Sequence, residues 1–188
     1  MRLSALVIIA TVFLASCTTV VNPFTSEPIQ PDPTKQGVMS GINDMKMETY
    51  IGVNIKKADP ALDDSNIKVT VVNAIVLLTG EVPTRELKVA AGTVARDYTG
   101  VRKVHNELQV RSNSSMVSRS NDSLLSTQIR TKLLFNGEVD SSQVTVVTSD
   151  STVFLIGTTT QENGRMAAEV ASSSSGVRKV VKAFEYVD

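Results

Sequence analysis

The pentapeptide GVRKV stands at residues 100–104 and again at 176–180. Around it, residues 66–110 align with residues 143–186. Ile67 and Val69 fall on Val144 and Val146, and IVLLTG falls on TVFLIG with Gly80 on Gly157. Ala90-Ala91 falls on Ala167-Ala168, and a one-residue deletion then brings the two pentapeptides into register. This repeat constrains the fold more than any other feature, because whatever one copy folds into must occur twice.

Both copies carry the same succession of patterns. Ile67, Val69 and Val71 alternate as in a half-buried strand. Asn73-Ala74 and Ser149-Asp150-Ser151 are turn-like. Residues 75–79 and 153–156 are continuous apolar runs, the pattern of central strands buried on both faces. Gly80 and Gly157 end these runs, where close backbone approach or positive φ is expected. A helix follows over residues 84–98, with Leu87, Ala90, Ala91 and Val94 on one face. Its counterpart over 160–173 is weakened by Gly164 and ends in the serine run 172–175. GVRKV then opens a third strand, with Val104, Leu108 and Val110 sharing a face in one copy and Val180, Phe184 and Tyr186 in the other. Ahead of each set, apolar residues four apart mark an amphipathic helix: Met47, Ile51 and Ile55, then Leu125, Ile129 and Leu133. The fold class is α+β, with two tandem αββαβ modules over 39–111 and 112–188. Each is a small mixed three-stranded sheet with two helices packed on one face, the crossover being right-handed. At roughly 65–70 residues, each module is near the lower limit for folding alone.

The N-terminal residues read differently. Arg2 precedes an apolar run from Leu3 to Ala15, too short to span a bilayer and of signal-peptide length. The run ends in Leu14-Ala15-Ser16-Cys17, which resembles the lipobox of bacterial lipoproteins. That resemblance implies a signal peptide over 1–16 and a lipidated Cys17 as the first mature residue. Palmitate-type acyl chains covalently attached to Cys17 would then be the only non-protein group, with no other cofactor. Thr18, rather than Asp, after the cysteine implies sorting to the outer membrane. Cys17 is the only cysteine, so no internal disulfide is available. Four of the six prolines fall within residues 17–38, the composition of an extended tether.

Lys+Arg and Asp+Glu each number 19, so no basic excess points to nucleic acid. His105, the single histidine, aligns with Val181 and reads as a strand residue with no partner for a zinc site. Asp59, Asp63 and Asp64 lack the spacing of a calcium loop and read as a turn of solvated acids. No nucleophile–base–acid set can be assembled without His105, and no metal or catalytic residue is assigned.

The leading helix, apolar strands, LLTGEV, second helix and GVRKVHNELQV resemble the BON domain; the second copy, with Gly157-Thr158-Thr159, lacks the valine of Gly-x-Val. With the lipobox, the chain resembles dual-BON outer-membrane lipoproteins. That resemblance implies a non-enzymatic, lipid-anchored protein at the periplasmic face of the outer membrane, supporting envelope integrity and stress tolerance. It also implies contact with anionic phospholipid through the helix opening the second module.

On residues 121–135, with Asn121 or Asp122 as cap, Leu125, Ile129 and Leu133 face the core. Leu124, Leu134 and Phe135 lie off that stripe beside Arg130 and Lys132, with no acid in the helix body. The candidate phospholipid-binding residues are Leu124, Leu125, Gln128, Arg130, Lys132, Leu134 and Phe135. Two other readings stand: Leu124, Leu134 and Phe135 cover neighbouring loops or the other module, or these side chains hold a protein partner such as an outer-membrane assembly or peptidoglycan-remodelling protein. A chaperone-like stress module without lipid recognition is the remaining alternative.

Overall fold

The computed structural model describes Pro28 and residues 40–187. The expected signal peptide, Cys17 and nearly all of the expected tether lie outside the described residues. The first copy comprises α1 (Ser40–Ala58), α2 (Pro60–Asp63), β1 (Ile67–Val72), β2 (Ile75–Val82), α3 (Arg85–Asp97), β3 (Lys103–Asn106) and β4 (Gln109–Val110). The second comprises α4 (Met116–Phe135), a 3-10 turn (Ser141–Gln143), β5 (Thr145–Ser149), β6 (Thr152–Thr159), α5 (Gln161–Ser172) and β7 (Lys179–Tyr186). In each copy the first strand pairs antiparallel with the middle one, and the last pairs parallel with it.

The αββαβ order holds, with two departures in the first copy. Asp59, Asp63 and Asp64 belong to a short helix rather than a plain turn. Asp59 caps α2 by accepting from the Ala61 N–H at 2.7 Å, and Pro60 sits in its first turn. The third strand is also interrupted at Glu107 and Leu108, so the first sheet has four strands and the second three. Asn106 makes the break: its amide donates to the Lys88 carbonyl at 2.7 Å, and its oxygen accepts from the Leu108 N–H at 3.4 Å. Past the break Leu108 returns to the core, but Val110, expected beside it, is exposed. Tyr186, expected inside with Phe184, is partly exposed, its ring 5.9 Å from that of Phe184.

Three cores form. Ile51, Ile55, Val69, Val76, Leu78 and Leu108 lie under α1 and α3. Ile129, Leu133, Val146, Val153, Leu155 and Phe184 lie under α4 and α5. The third joins the modules: Ile75 and Leu77 of β2 meet Val147, Phe154, Ile156 and Ala183 of the second sheet. Alternation along each middle strand explains this, since Val76 and Leu78 point to their own helices while Ile75 and Leu77 point away. The sheets thus pack face to face with the helices outermost.

The repeated pentapeptide now has a physical role. Each β-hairpin turns through two left-handed residues, Asn73 and Ala74 (φ 50° and 61°) or Asp150 and Ser151 (φ 50° and 57°). Non-glycine residues are strained there, and each turn is clamped from two sides. Asp44 of α1 accepts from the N–H groups of Asn73 and Ala74 at 2.7 and 2.9 Å; Asp122 of α4 accepts from Asp150 and Ser151 at 2.8 and 2.9 Å. From the pentapeptides, the Arg102 and Arg178 N–H groups donate to the Ala74 and Ser151 carbonyls, each at 2.9 Å, and both guanidinium groups reach the carbonyl one residue earlier. Gly100 and Gly176, at φ 93° and 90°, aim the chain back at the turn.

Candidate functional site on the fourth helix

α4 begins five residues earlier than expected. Ser115 is its cap, accepting from the Ser118 N–H at 3.2 Å. Asn121 and Asp122 therefore lie inside the helix, and the helix body does contain an acid. Asp122 points inward and is consumed by the hairpin clamp.

Leu125, Ile129 and Leu133 form the inner stripe, at most 8% exposed. Leu125 is thus a core residue beneath the candidate site and not part of its surface. On a helix turning about 100° per residue, Val117, Leu124 and Phe135 stack within about 20° of one another, opposite that stripe. They are 71%, 69% and 82% exposed, and Met116 and Leu134, along one flank, are 75% and 66% exposed. Gln128 is exposed on the same outward side. The ridge from Val117 to Phe135 is about 27 Å long at 1.5 Å per residue. The reading in which Leu124, Leu134 and Phe135 cover neighbouring loops or the other module is overturned, because all three stand exposed and the modules meet through their sheets.

The two cations divide. The Lys132 ammonium is half-buried and donates to Ser174 Oγ at 3.0 Å, on the way to the end of α5. Arg130 donates to the Val146 carbonyl at 2.6 Å and lines a cleft between the modules together with Arg119. Sequence reasoning missed Met116 and Val117. The signal was Ser115 three residues before Ser118, a capping position preceding the first apolar pair.

Beside that cleft, a charge network built on one buried carboxylate crosses the seam. Glu81, 2% exposed, binds the Asn66 amide at 2.7 Å, Arg111 at 3.0 Å and Ser114 at 3.2 Å. Arg111 reaches on to Asp150 at 3.1 Å, which also pairs with Arg178. Burial pushes the Glu81 carboxyl up, but its bonds to Asn66, Arg111 and Ser114 outweigh burial and hold it below the usual glutamate range. Asp150 is lowered in the same way: burial raises it, and Arg178 and Arg111 more than offset that.

His105 lies on β3 one residue from Val104, so it points away from the first core, toward the seam side. Its Nε2 is buried without a hydrogen-bond partner, and burial, then Lys103, lowers its pKa. Among the described residues no group of three His, Cys, Asp or Glu side chains is placed to hold a metal ion, and no helix is long and apolar enough to cross a membrane.

Comparison with known proteins agrees with this architecture. The BON domain family profile matches residues 48–112 and 121–188. The chain is 33% identical over 186 residues to outer membrane lipoprotein DolP of Haemophilus influenzae, covering 98% of this chain and 95% of that one. It is 34% identical over 156 residues to a 21 kDa hemolysin of Actinobacillus pleuropneumoniae, covering 83% and 79% of the two chains. It is 29% identical over 150 residues to osmotically-inducible protein Y of Escherichia coli, covering 76% and 74%. The repeat is thus a pair of BON modules, and the chain belongs to the BON-domain family, related over nearly its whole length to an outer-membrane lipoprotein.

Proposed function

We propose that this is a non-enzymatic lipoprotein, anchored through acyl chains on Cys17 to the periplasmic face of the outer membrane. There its second BON module contacts anionic phospholipid through the outer face of α4 and so supports envelope integrity. One observation carries the reading: five large apolar side chains stand exposed on a single helix while the module's core and seam are already filled. Fully removing one such side chain from water contributes about 1.5–3 kcal/mol, so even partial insertion of the ridge favours an interface. The helix carries no Trp or Tyr to anchor it there. The acyl chains, at ~0.8 kcal/mol per buried CH₂, supply the residence on the membrane; the ridge orients the protein and selects the lipid.

The test is vesicle co-sedimentation of the chain lacking residues 1–17, which keeps all three cores, with and without phosphatidylglycerol. The unmodified chain is expected to bind the anionic vesicles and Leu124→Ser/Phe135→Ser to lose that binding. Equal binding by both chains, or none by either, would sink the reading and favour the protein-adaptor role.

A further inference from the structure

At one end of the seam the modules enclose a cleft of about 280 Å³. Its wall presents Lys68 from the first module and Arg119 and Arg130 from the second, against two carboxylates, Glu81 and Asp122. The carboxylates are committed. Both Asp122 oxygens accept hairpin N–H groups, and Glu81 is held by Asn66, Arg111 and Ser114. None of the three cations forms an ion pair among the described residues. Among the described residues, Arg119 and Arg130 donate to the neutral carbonyls of Ser114 and Val146, at 2.9 and 2.6 Å, and Lys68 has no bonded partner.

Hydroxyls complete the wall. Ser123 and Thr127 spend their protons on the carbonyls one turn back, each at 3.0 Å, which leaves their oxygens as acceptors. A bare anion would leave these acceptors idle, and a neutral sugar would leave three cations unpaired. A ligand with both a phosphoryl group and free hydroxyls satisfies both sets.

We propose that this inter-module cleft binds a polyol phosphate. Lys68, Arg119 and Arg130 take the phosphoryl oxygens, and Ser123 and Thr127 accept from the polyol hydroxyls. The site needs both modules, which gives the packed seam a function beyond stability. It stands apart from the ridge, because Arg119, Ser123 and Arg130 lie about 100–140° around α4 from Leu124. The same chemistry is offered by a soluble glycerophosphate and by the headgroup of phosphatidylglycerol.

The test titrates the chain lacking residues 1–17 with glycerol 1-phosphate, inorganic phosphate and glycerol, followed by amide NMR. Saturable shifts confined to Ser123, Thr127 and Ser149 are expected, tightest with glycerol 1-phosphate. Lys68→Glu, altering an exposed side chain, is expected to fold normally and weaken binding at least about ten-fold. No saturable shift, or an unchanged affinity in Lys68→Glu, would overturn the site. Inorganic phosphate binding as tightly as glycerol 1-phosphate would overturn the polyol half of the assignment. A vesicle arm identifies the source: if Lys68→Glu also weakens binding to phosphatidylglycerol vesicles, the ligand is the headgroup, and if it does not, the ligand is soluble. Leu124→Ser/Phe135→Ser is expected to leave the glycerol 1-phosphate titration intact, so failure of the membrane reading and failure of this site are separately visible.

Discussion

The two modules share a backbone and differ in what they show to their surroundings. Each long helix sends one aspartate, Asp44 or Asp122, into the left-handed hairpin turn of its own sheet. Each pentapeptide closes that turn from the other side. Outside this shared machinery they part. Among the described residues α1 exposes one large apolar side chain, Met45, whereas α4 exposes five. At the end of the middle strand the first module has buried Glu81 and the second the hydroxyl of Thr158. The repeat is kept where strained backbone must be held, and it diverges at the seam and on the outward helix face. The divergent places are where function is to be sought.

The strongest way to break the equivalence of the two scaffolds is to test their matched glycines. A Cβ on Gly80 would stand 1.8 Å from the Asn66 carbonyl oxygen, and one on Gly157 would stand 2.1 Å from that of Gln143. Both also sit at positive φ, 116° and 155°. Gly80→Ala and Gly157→Ala are each expected to cost about 3 kcal/mol or more, measured by urea denaturation. If one module tolerates alanine, the backbones are not equivalent at the point where the repeat demands it.

A smaller effect sharpens the difference at the seam. Glu81→Leu removes three hydrogen bonds and leaves Arg111 with only Asp150; we expect a loss of about 1–3 kcal/mol. Thr158→Val, at the matching position, loses the bond from Asn73 at 3.0 Å and a long one to Glu185 at 3.4 Å, and is expected to cost under about 1 kcal/mol. The pH dependence has a fixed sign. Glu81 and Asp150 have folded pKa values held below their ordinary ones, so their contribution is full above the unfolded values near 4 and is lost as pH falls through the folded ones. Thermal melts between pH 7 and pH 3 should fall more steeply for the unmodified chain than for Glu81→Leu. Parallel curves would remove Glu81 from the acid response.

How legible all this was in the sequence follows from the range of each interaction. The alternation in β1, the two-faced run in β2 and the glycine ending it are local signals, and each element formed where they pointed. The run in β2 signalled two buried faces without saying what covers the second; that required the other sheet. The break at Asn106 was hidden because its partner, the Lys88 carbonyl, lies on α3. On α4 the off-stripe leucines and Phe135 were readable because periodicity alone places them. Arg130 and Lys132 were not, because Val146 and Ser174 draw them away along the surface. The cleft was invisible for the same reason: Lys68 and Arg119 meet only through the packing of two modules.

The smallest expected effect is the most telling for the outward face. Leu124 and Leu125 are adjacent and chemically identical, yet one is 69% exposed and the other 8%. Leu125→Ala opens a cavity against Ile129 and the second core and should cost about 2–5 kcal/mol. Leu124→Ser removes apolar surface already in water and should change stability by no more than about 0.5 kcal/mol. Nothing in the folding of the module requires a leucine there. If Leu124→Ser destabilises as Leu125→Ala does, α4 is rotated from the register described, and Val117 and Phe135 leave the surface with it. If it leaves the melt untouched, that leucine serves something outside the module, and the contrast with α1 becomes a statement about partners rather than packing.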